Sequence, residues 1–99
     1  MSNILPINTL RLIVKARKYV FGETLILDIR TNKVSLVVIA NDAGDASKKK
    51  LIDKCTSFNV QYIECLDKNT LQNVFNRNIS AIGIKDENLA HKFLENIQK

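Results

Sequence analysis

Val34-Ser35-Leu36-Val37-Val38-Ile39-Ala40 is a nearly unbroken apolar run rich in Val and Ile, which is the composition of a strand covered on both faces. Helices must supply that cover, and the flanking sequence provides them. Asn41 to Asp45 offers turn residues with Asp45 as an N-cap. Beyond it, Leu51, Ile52, Cys55 and Phe58 line one helical face while Lys48, Lys49, Lys50 and Lys54 crowd the others. Upstream, Glu23 to Arg30 places Leu25, Ile26 and Ile29 at helical spacing with an acidic residue in the first turn. Helix, buried strand and helix in succession are the grammar of an α/β sheet protein.

Working outward, the same alternation continues to both ends. Leu12, Ile13, Ala16 and Val20 recur at near-helical spacing after an entry at Pro6 and Asn8, with Arg11, Lys15 and Lys18 on another stripe. Tyr19 to Phe21 reads as a short extended segment that turns sharply at Gly22. Val60 to Cys65 alternates as a peripheral strand does. Asp67 or Asn69 caps a helix built on Leu71, Val74 and Phe75, which Asn76 to Asn78 closes. Ile79 to Ile84 is a further strand, and Asp86 opens a last helix whose Leu89, Ala90, Phe93, Leu94 and Ile97 form an apolar stripe. The expected architecture is an α/β sandwich of three or four short strands with helices on both faces, folded as one domain over 1–99.

Composition limits the function. With 99 residues, 45% of them hydrophobic and 25% charged, the chain is an ordinary globular one. Its apolar runs are too short to span a membrane. Met1 to Thr9 lacks the pattern of a secretory leader, so a cytoplasmic location is expected. Two cysteines, Cys55 and Cys65, without CxxC spacing and with a single His in the chain, predict reduced thiols and neither a disulfide framework nor a metal site.

No residue pattern suggests catalysis. His91 falls opposite the apolar stripe of its helix, Gly44 to Lys48 lacks the GxxxxGK[ST] spacing of a phosphate loop, and Asp42 with Asp45 satisfies turn and cap chemistry. A non-enzymatic chain without cofactor or metal is the expectation.

Charge is more informative. The formal net charge is +5, and most of the surplus is N-terminal, where Arg11, Lys15, Arg17, Lys18, Arg30 and Lys33 face only Glu23 and Asp28. These bases gather around Gly22 and the start of the second helix, where unpartnered N–H groups and the helix dipole favour a phosphate. Polyanions such as RNA are therefore the expected partners.

Lys15-Ala16-Arg17-Lys18, Gly22-Glu23, Leu36-Val37-Val38-Ile39-Ala40-Asn41-Asp42-Ala43 and Lys48-Lys49-Lys50-Leu51-Ile52-Asp53-Lys54-Cys55, followed by Asn59-Val60, together resemble the bacterial ribosomal protein L7Ae-like family and, within it, the YlxQ branch. The likeness extends over nearly the whole chain. It implies a three-layer α/β/α sandwich with a small mixed sheet. It also implies binding of RNA kink-turns or similar internal-loop motifs. The expected partners are accordingly kink-turn or rRNA-like structured RNA, with the ribosome or translation factors as the setting, for a chain that is monomeric and engages no membrane. In that family the start of the second helix enters the RNA groove, and a loop after the fourth helix caps a flipped-out base. The resemblance assigns Gly22, Glu23 and Thr24 to the helix start, Arg30 and Lys33 to its far end, and Arg77, Asn78 and Ile79 to the capping loop. From the charge distribution, Arg11, Lys15, Arg17, Lys18, Arg30 and Lys33 are expected to add electrostatic attraction.

The sequence also departs from the pattern. Asp28, or a one-residue deletion, falls where the family carries a helix 2 Lys, and Gln72 and Asn76 occupy small or glycine positions of the fourth helix. A carboxylate facing phosphates weakens binding, so Lys in place of Asp28 is expected to raise affinity. The same departures support an alternative, a protein-interaction module on the same fold with weakened or lost RNA binding.

Overall fold

The computed structural model describes residues 7–97. Elements follow one another as α1 (Ile7–Ala16), β1 (Tyr19–Val20), α2 (Gly22–Arg30), β2 (Leu36–Ile39), α3 (Asp45–Ser57), β3 (Tyr62–Glu64), α4 (Lys68–Phe75), β4 (Ala81–Ile84) and α5 (Glu87–Ile97). The four strands form one mixed sheet in the order β1-β4-β2-β3, in which only the β2–β3 pair is parallel. Val38 lies opposite Ile82 in β4 and Ile63 in β3. Every residue of β2 and β4 is buried, whereas β3 at the edge is half solvated, so the run at Leu36 to Ile39 does sit between two helical layers. In one layer α1 packs on α4 and α5, and in the other α2 packs on α3. This is the three-layer α/β/α sandwich that the sequence predicts.

One glycine governs how closely α2 approaches the sheet. A Cβ on Gly83 would lie 2.6 Å from Leu25 Cδ1, 3.0 Å from Val34 Cγ1 and 3.1 Å from Val20 Cγ1. All three neighbours are buried, so none is free to swing into solvent, and α2 rests where the missing side chain would be.

Caps fix the helix ends. Asp67 Oδ1 accepts from Thr70 N at 2.8 Å, and hydrogen bonding from the Thr70 side chain and backbone holds its carboxyl below the usual carboxylate range. Asp42 Oδ1 accepts from Lys68 N at 2.9 Å, so two carboxylates secure the start of α4. Asp86 Oδ1 takes Leu89 N at 3.0 Å at the start of α5. The Asp45 expectation needs correction: Gly44 is the N-cap of α3 and no side chain caps it, while Asp45 sits in the first turn, where the helix dipole favours a negative charge.

Two further readings change. The buried face of α1 is Thr9, Leu10 and Ile13, and Leu12 is 46% exposed. The helix ends before Val20, which belongs to β1, so Val20 cannot set the helical stripe. Thr9 can be buried because its Oγ1 accepts from Asn96 Nδ2 of α5 at 2.7 Å. Phe58 is the C-cap of α3 and 38% exposed, not part of the packed face. The Pro6 entry to the first helix lies outside the described residues. Cys55 and Cys65 are free thiols, and no helix among the described residues is long and apolar enough to cross a membrane.

Burial pushes both thiols up from 9.0 to about 11. The folded chain therefore keeps protons that the unfolded chain releases above pH 9, and stability conferred by the neutral thiols is lost as pH rises from about 9 to 11. Urea midpoints at pH 8 and 10.5, compared with those of a Cys55→Ala, Cys65→Ala chain, are expected to fall more steeply for the unmodified protein. Gly83→Ala is expected to destabilise the fold by about 1–3 kcal/mol through overpacking, measured as a lower urea midpoint at unchanged slope.

Candidate nucleic-acid interface

The chain enters α2 through Gly22, whose φ of +69° is the left-handed conformation that a glycine adopts without strain. Phe21, the N-cap, is extended and makes no side-chain cap hydrogen bond. The first N–H groups of α2, on Gly22, Glu23 and Thr24, thus have neither an intrahelical acceptor nor a side-chain one. They present the positive end of the helix dipole at the surface, and all three residues are exposed.

The loop from α4 to β4 lies beside this helix start. Asn76 closes α4 in the left-handed conformation (φ 55°, ψ 40°), a role that glycine or asparagine fills at helix C-termini. Gln72 Nε2 donates to Asn78 Oδ1 at 3.0 Å, and Ile79 N donates to Arg77 O at 3.0 Å. Both bonds hold the Arg77-Asn78-Ile79 loop in shape. Gln72 and Asn76, departures from the family pattern in sequence, are therefore supports of this loop.

Two open clefts flank the start of α2. The smaller, about 280 Å³, is walled by Gly22, Leu25 and Ile26 on one side, Ser47, Lys50 and Leu51 of α3 on another, and Asn78 to Ala81 on the third. The larger, about 730 Å³, is lined by Val14, Lys15 and Arg17 at the end of α1, by Tyr19 to Phe21 and Thr24, and by Arg77. Arg77 Cζ stands 5.0 Å from the centroid of the Phe21 ring. Lys15, Arg17, Gly22, Thr24, Arg77, Asn78 and Ile79 thus wall two neighbouring clefts, with exposed Glu23 on the helix start between them.

Arg11, Lys18, Arg30 and Lys33 do not join this group. Arg30 is the last residue of α2, about 12 Å along the helix from Gly22 at 1.5 Å per residue, and Lys33 lies three residues beyond it. Asp28, on the last turns of α2, pairs with Lys85 after the far end of β4, so that end of the helix faces away from the Arg77 loop. Arg11 and Lys18 line neither cleft. Sequence reasoning gives no site role to Lys50 and Ser47. Of the three consecutive lysines, Lys48 is engaged, with Nζ 3.2 Å from Glu64 Oε1 and 2.9 Å from Asn41 O, whereas Lys50 lines the smaller cleft. Lys50 lies in one of the stretches that carry the family likeness, but nothing in the Lys48-Lys49-Lys50 run separates it from its neighbours.

The reading of Asp28 as a carboxylate facing RNA is overturned. Asp28 is only 6% exposed, and its Oδ2 lies 3.2 Å from Lys85 Nζ. The contact is an ion pair by distance without hydrogen-bond alignment, since Oδ2 has no hydrogen-bond partner. The side chain is turned to Lys85 at the end of the internal strand β4, so it neither repels a phosphate nor marks a place for a restored contact.

Residues 7–94 match the model of the ribosomal protein L7Ae/L30e/S12e/Gadd45 family. The chain belongs to this family. Among curated relatives it is 34% identical over 92 residues to an RNA-binding protein YlxQ of Enterococcus faecium, covering 92% of this chain and 89% of that one. It is 30% identical over 82 residues to an RNA-binding protein YlxQ of Bacillus subtilis (strain 168), covering 81% and 82%. Its fold is similar to that of a protein of unknown function from Bacillus halodurans C, with a TM-score of 0.88 and 28% identity over 95% of this chain and 97% of the other. A 15.5kD RNA binding protein of Giardia lamblia shares the fold, with a TM-score of 0.75 at 21% identity over 93% and 81%.

In this L7Ae-family chain, Asp28→Lys would set a second cation against Lys85 in a site sized for an ion pair. It is expected to lower stability by about 2 kcal/mol or more, a discount on a fully buried pair because Lys85 is partly solvated. Urea denaturation checks this; an unchanged midpoint with tighter RNA binding would put Asp28 back on the RNA-facing surface.

Proposed function

We propose that the protein is a non-enzymatic RNA-binding protein that recognises a sharply bent RNA, a kink-turn or similar internal loop of the rRNA type, and acts in association with the ribosome or translation machinery. The observation that carries this reading is the uncapped start of α2, with three outward N–H groups, set beside the Arg77-Asn78-Ile79 loop and Lys50. A regular duplex offers a smooth surface, whereas a bend brings phosphates and unstacked bases to one point where such a corner can meet them. Phosphates are held by the helix start and Lys50, and the Glu23 carboxylate is an acceptor for base amino groups exposed at the bend. An unstacked base enters the smaller cleft, whose walls combine apolar Leu25, Ile26 and Leu51 with polar Ser47 and Asn78.

The family, whose description names ribosomal proteins, and the naming of two relatives as RNA-binding proteins support this reading. The alternative of a protein-interaction module rests on Asp28, Gln72 and Asn76, and each has a part in the fold: an ion pair, a loop hydrogen bond and a left-handed helix cap.

The test is a titration of a kink-turn RNA and a plain duplex of equal length at 50 and 200 mM salt. Preference for the bent RNA with strong salt dependence is expected, and Lys50→Ala is expected to lower the log–log salt slope by about one. Arg77→Ala weakens the bent RNA, while Arg30→Ala and Lys33→Ala change it less than twofold. Equal weak binding to both RNAs would leave charge attraction alone and defeat the proposal.

A further inference from the structure

The larger cleft has a composition of its own. Lys15, Arg17 and Arg77 reach it, none of them makes an ion pair among the described residues, and no carboxylate is among its lining residues. Its floor is aromatic. Tyr19 packs against Phe75 at 4.9 Å and Phe21 at 6.2 Å between ring centroids, and Arg77 lies over Phe21. The Arg77 guanidinium lies within cation–π distance of the Phe21 ring and belongs to an exposed side chain on the cleft wall, and a guanidinium offers a flat face on which a base can stack.

The backbone adds a second, independent sign. Five residues other than glycine have positive φ: Arg17, Asn32, Asn59, Leu66 and Asn76. Asparagine is the residue best suited to that conformation after glycine and accounts for three of them. Leu66 packs its side chain against the core. Arg17 alone has no such explanation. It ends α1 as the left-handed residue of a Schellman turn, with Arg17 N bonded to Val14 O and Lys18 N to Ile13 O, both at 3.1 Å, a place that glycine usually fills. Its side chain is exposed and makes no ion pair among the described residues, so its local contribution is that of any cation at a helix C-terminus. The left-handed turn at the end of α1 thus sets a cation on the wall of this cleft, where no carboxylate among the described residues pairs with it.

We infer that this cleft is a nucleotide subsite separate from the one at Asn78 to Ala81: it takes one unpaired nucleotide of the RNA strand beyond the bend, with its phosphate on Lys15 and Arg17 and its base stacked on the Phe21-backed guanidinium of Arg77. The inference rests on RNA being the partner and extends the footprint past the helix start. Stacking on a flat cation tolerates any base, so the subsite reads single-strandedness rather than sequence.

The probe is tetrauridylate, titrated into the isotope-labelled full chain and followed by amide chemical shifts. Saturable shifts at Arg17, Phe21 and Thr24 are expected, with an abasic tetranucleotide binding at least about 5-fold more weakly. Arg77→Lys keeps the charge but removes the plane, and is expected to abolish the difference between uridine and abasic probes. Arg17→Gly is expected to raise the thermal midpoint by relieving the backbone while weakening the probe several-fold. Lys15→Gln, on an exposed helix end, weakens it without touching the aromatic floor. Equal binding of abasic and uridine probes, shifts confined to Gly22 and Asn78 to Ala81, or equally tight binding of uridine monophosphate or of polyglutamate would each overturn the assignment. The kink-turn RNA is titrated in parallel: if it fails while the tetranucleotide shifts persist, the bent-RNA reading falls and this subsite stands.

Discussion

The structure depends on the contact between α2 and the sheet at Gly83. Because that position has no side chain, Leu25, Val34 and Val20 close over the strand, and the helix lies flat along β4 with its start at the Ala81 end and its Asp28 end beside Lys85. The position of the helix start relative to the Arg77 loop is thus set by core packing, which is stiff on the scale of a methyl group. A binding corner assembled from two loops alone would have no such reference. Here one wall is anchored to the centre of the sheet, and the other runs directly into β4.

Local backbone choices finish the corner. Gly22 turns the chain into α2 in a left-handed conformation and leaves the helix uncapped, while Asn76 turns it out of α4 the same way and Gln72 steadies the loop at Asn78. An uncapped helix start costs stability that a Ser or Asp at the Phe21 position would supply. Phe21 instead contributes a ring beneath Arg77. The same division appears among the lysines of α3: Lys48 ties the helix to β3 and the turn at Asn41, while Lys50 lines the smaller cleft.

Much of this is legible in the residues. The Val and Ile run at Leu36 to Ile39, the Asp67 and Asp86 caps and the stripe of α5 are all set by local pattern, because burial on both faces and capping are local demands. The turn at Gly22 is legible for the same reason. What sequence leaves hidden is non-local. Asp28 reads as a surface carboxylate because its partner, Lys85, is distant in the chain, and the surplus charge at Arg30 and Lys33 reads as part of the patch because a net count carries no direction along a helix. Leu12 and Leu10 exchange places because a stripe anchored on Val20 borrows a residue that the chain uses in a strand. The grouping of Lys15 and Arg17 with Phe21 and Arg77 needs α1 and the α4–β4 loop to meet, and no periodicity contains that.

The most direct measurement of the central claim is amide hydrogen exchange of the full chain with and without a bound kink-turn RNA. The N–H groups of Gly22, Glu23 and Thr24 lack acceptors in the free protein, so the account predicts rapid exchange that slows markedly in the complex, together with Asn78 and Ile79, while Arg30 to Lys33 stay unchanged. Protection centred on Arg30 to Lys33 or on α5, with the start of α2 still exchanging freely, would contradict it.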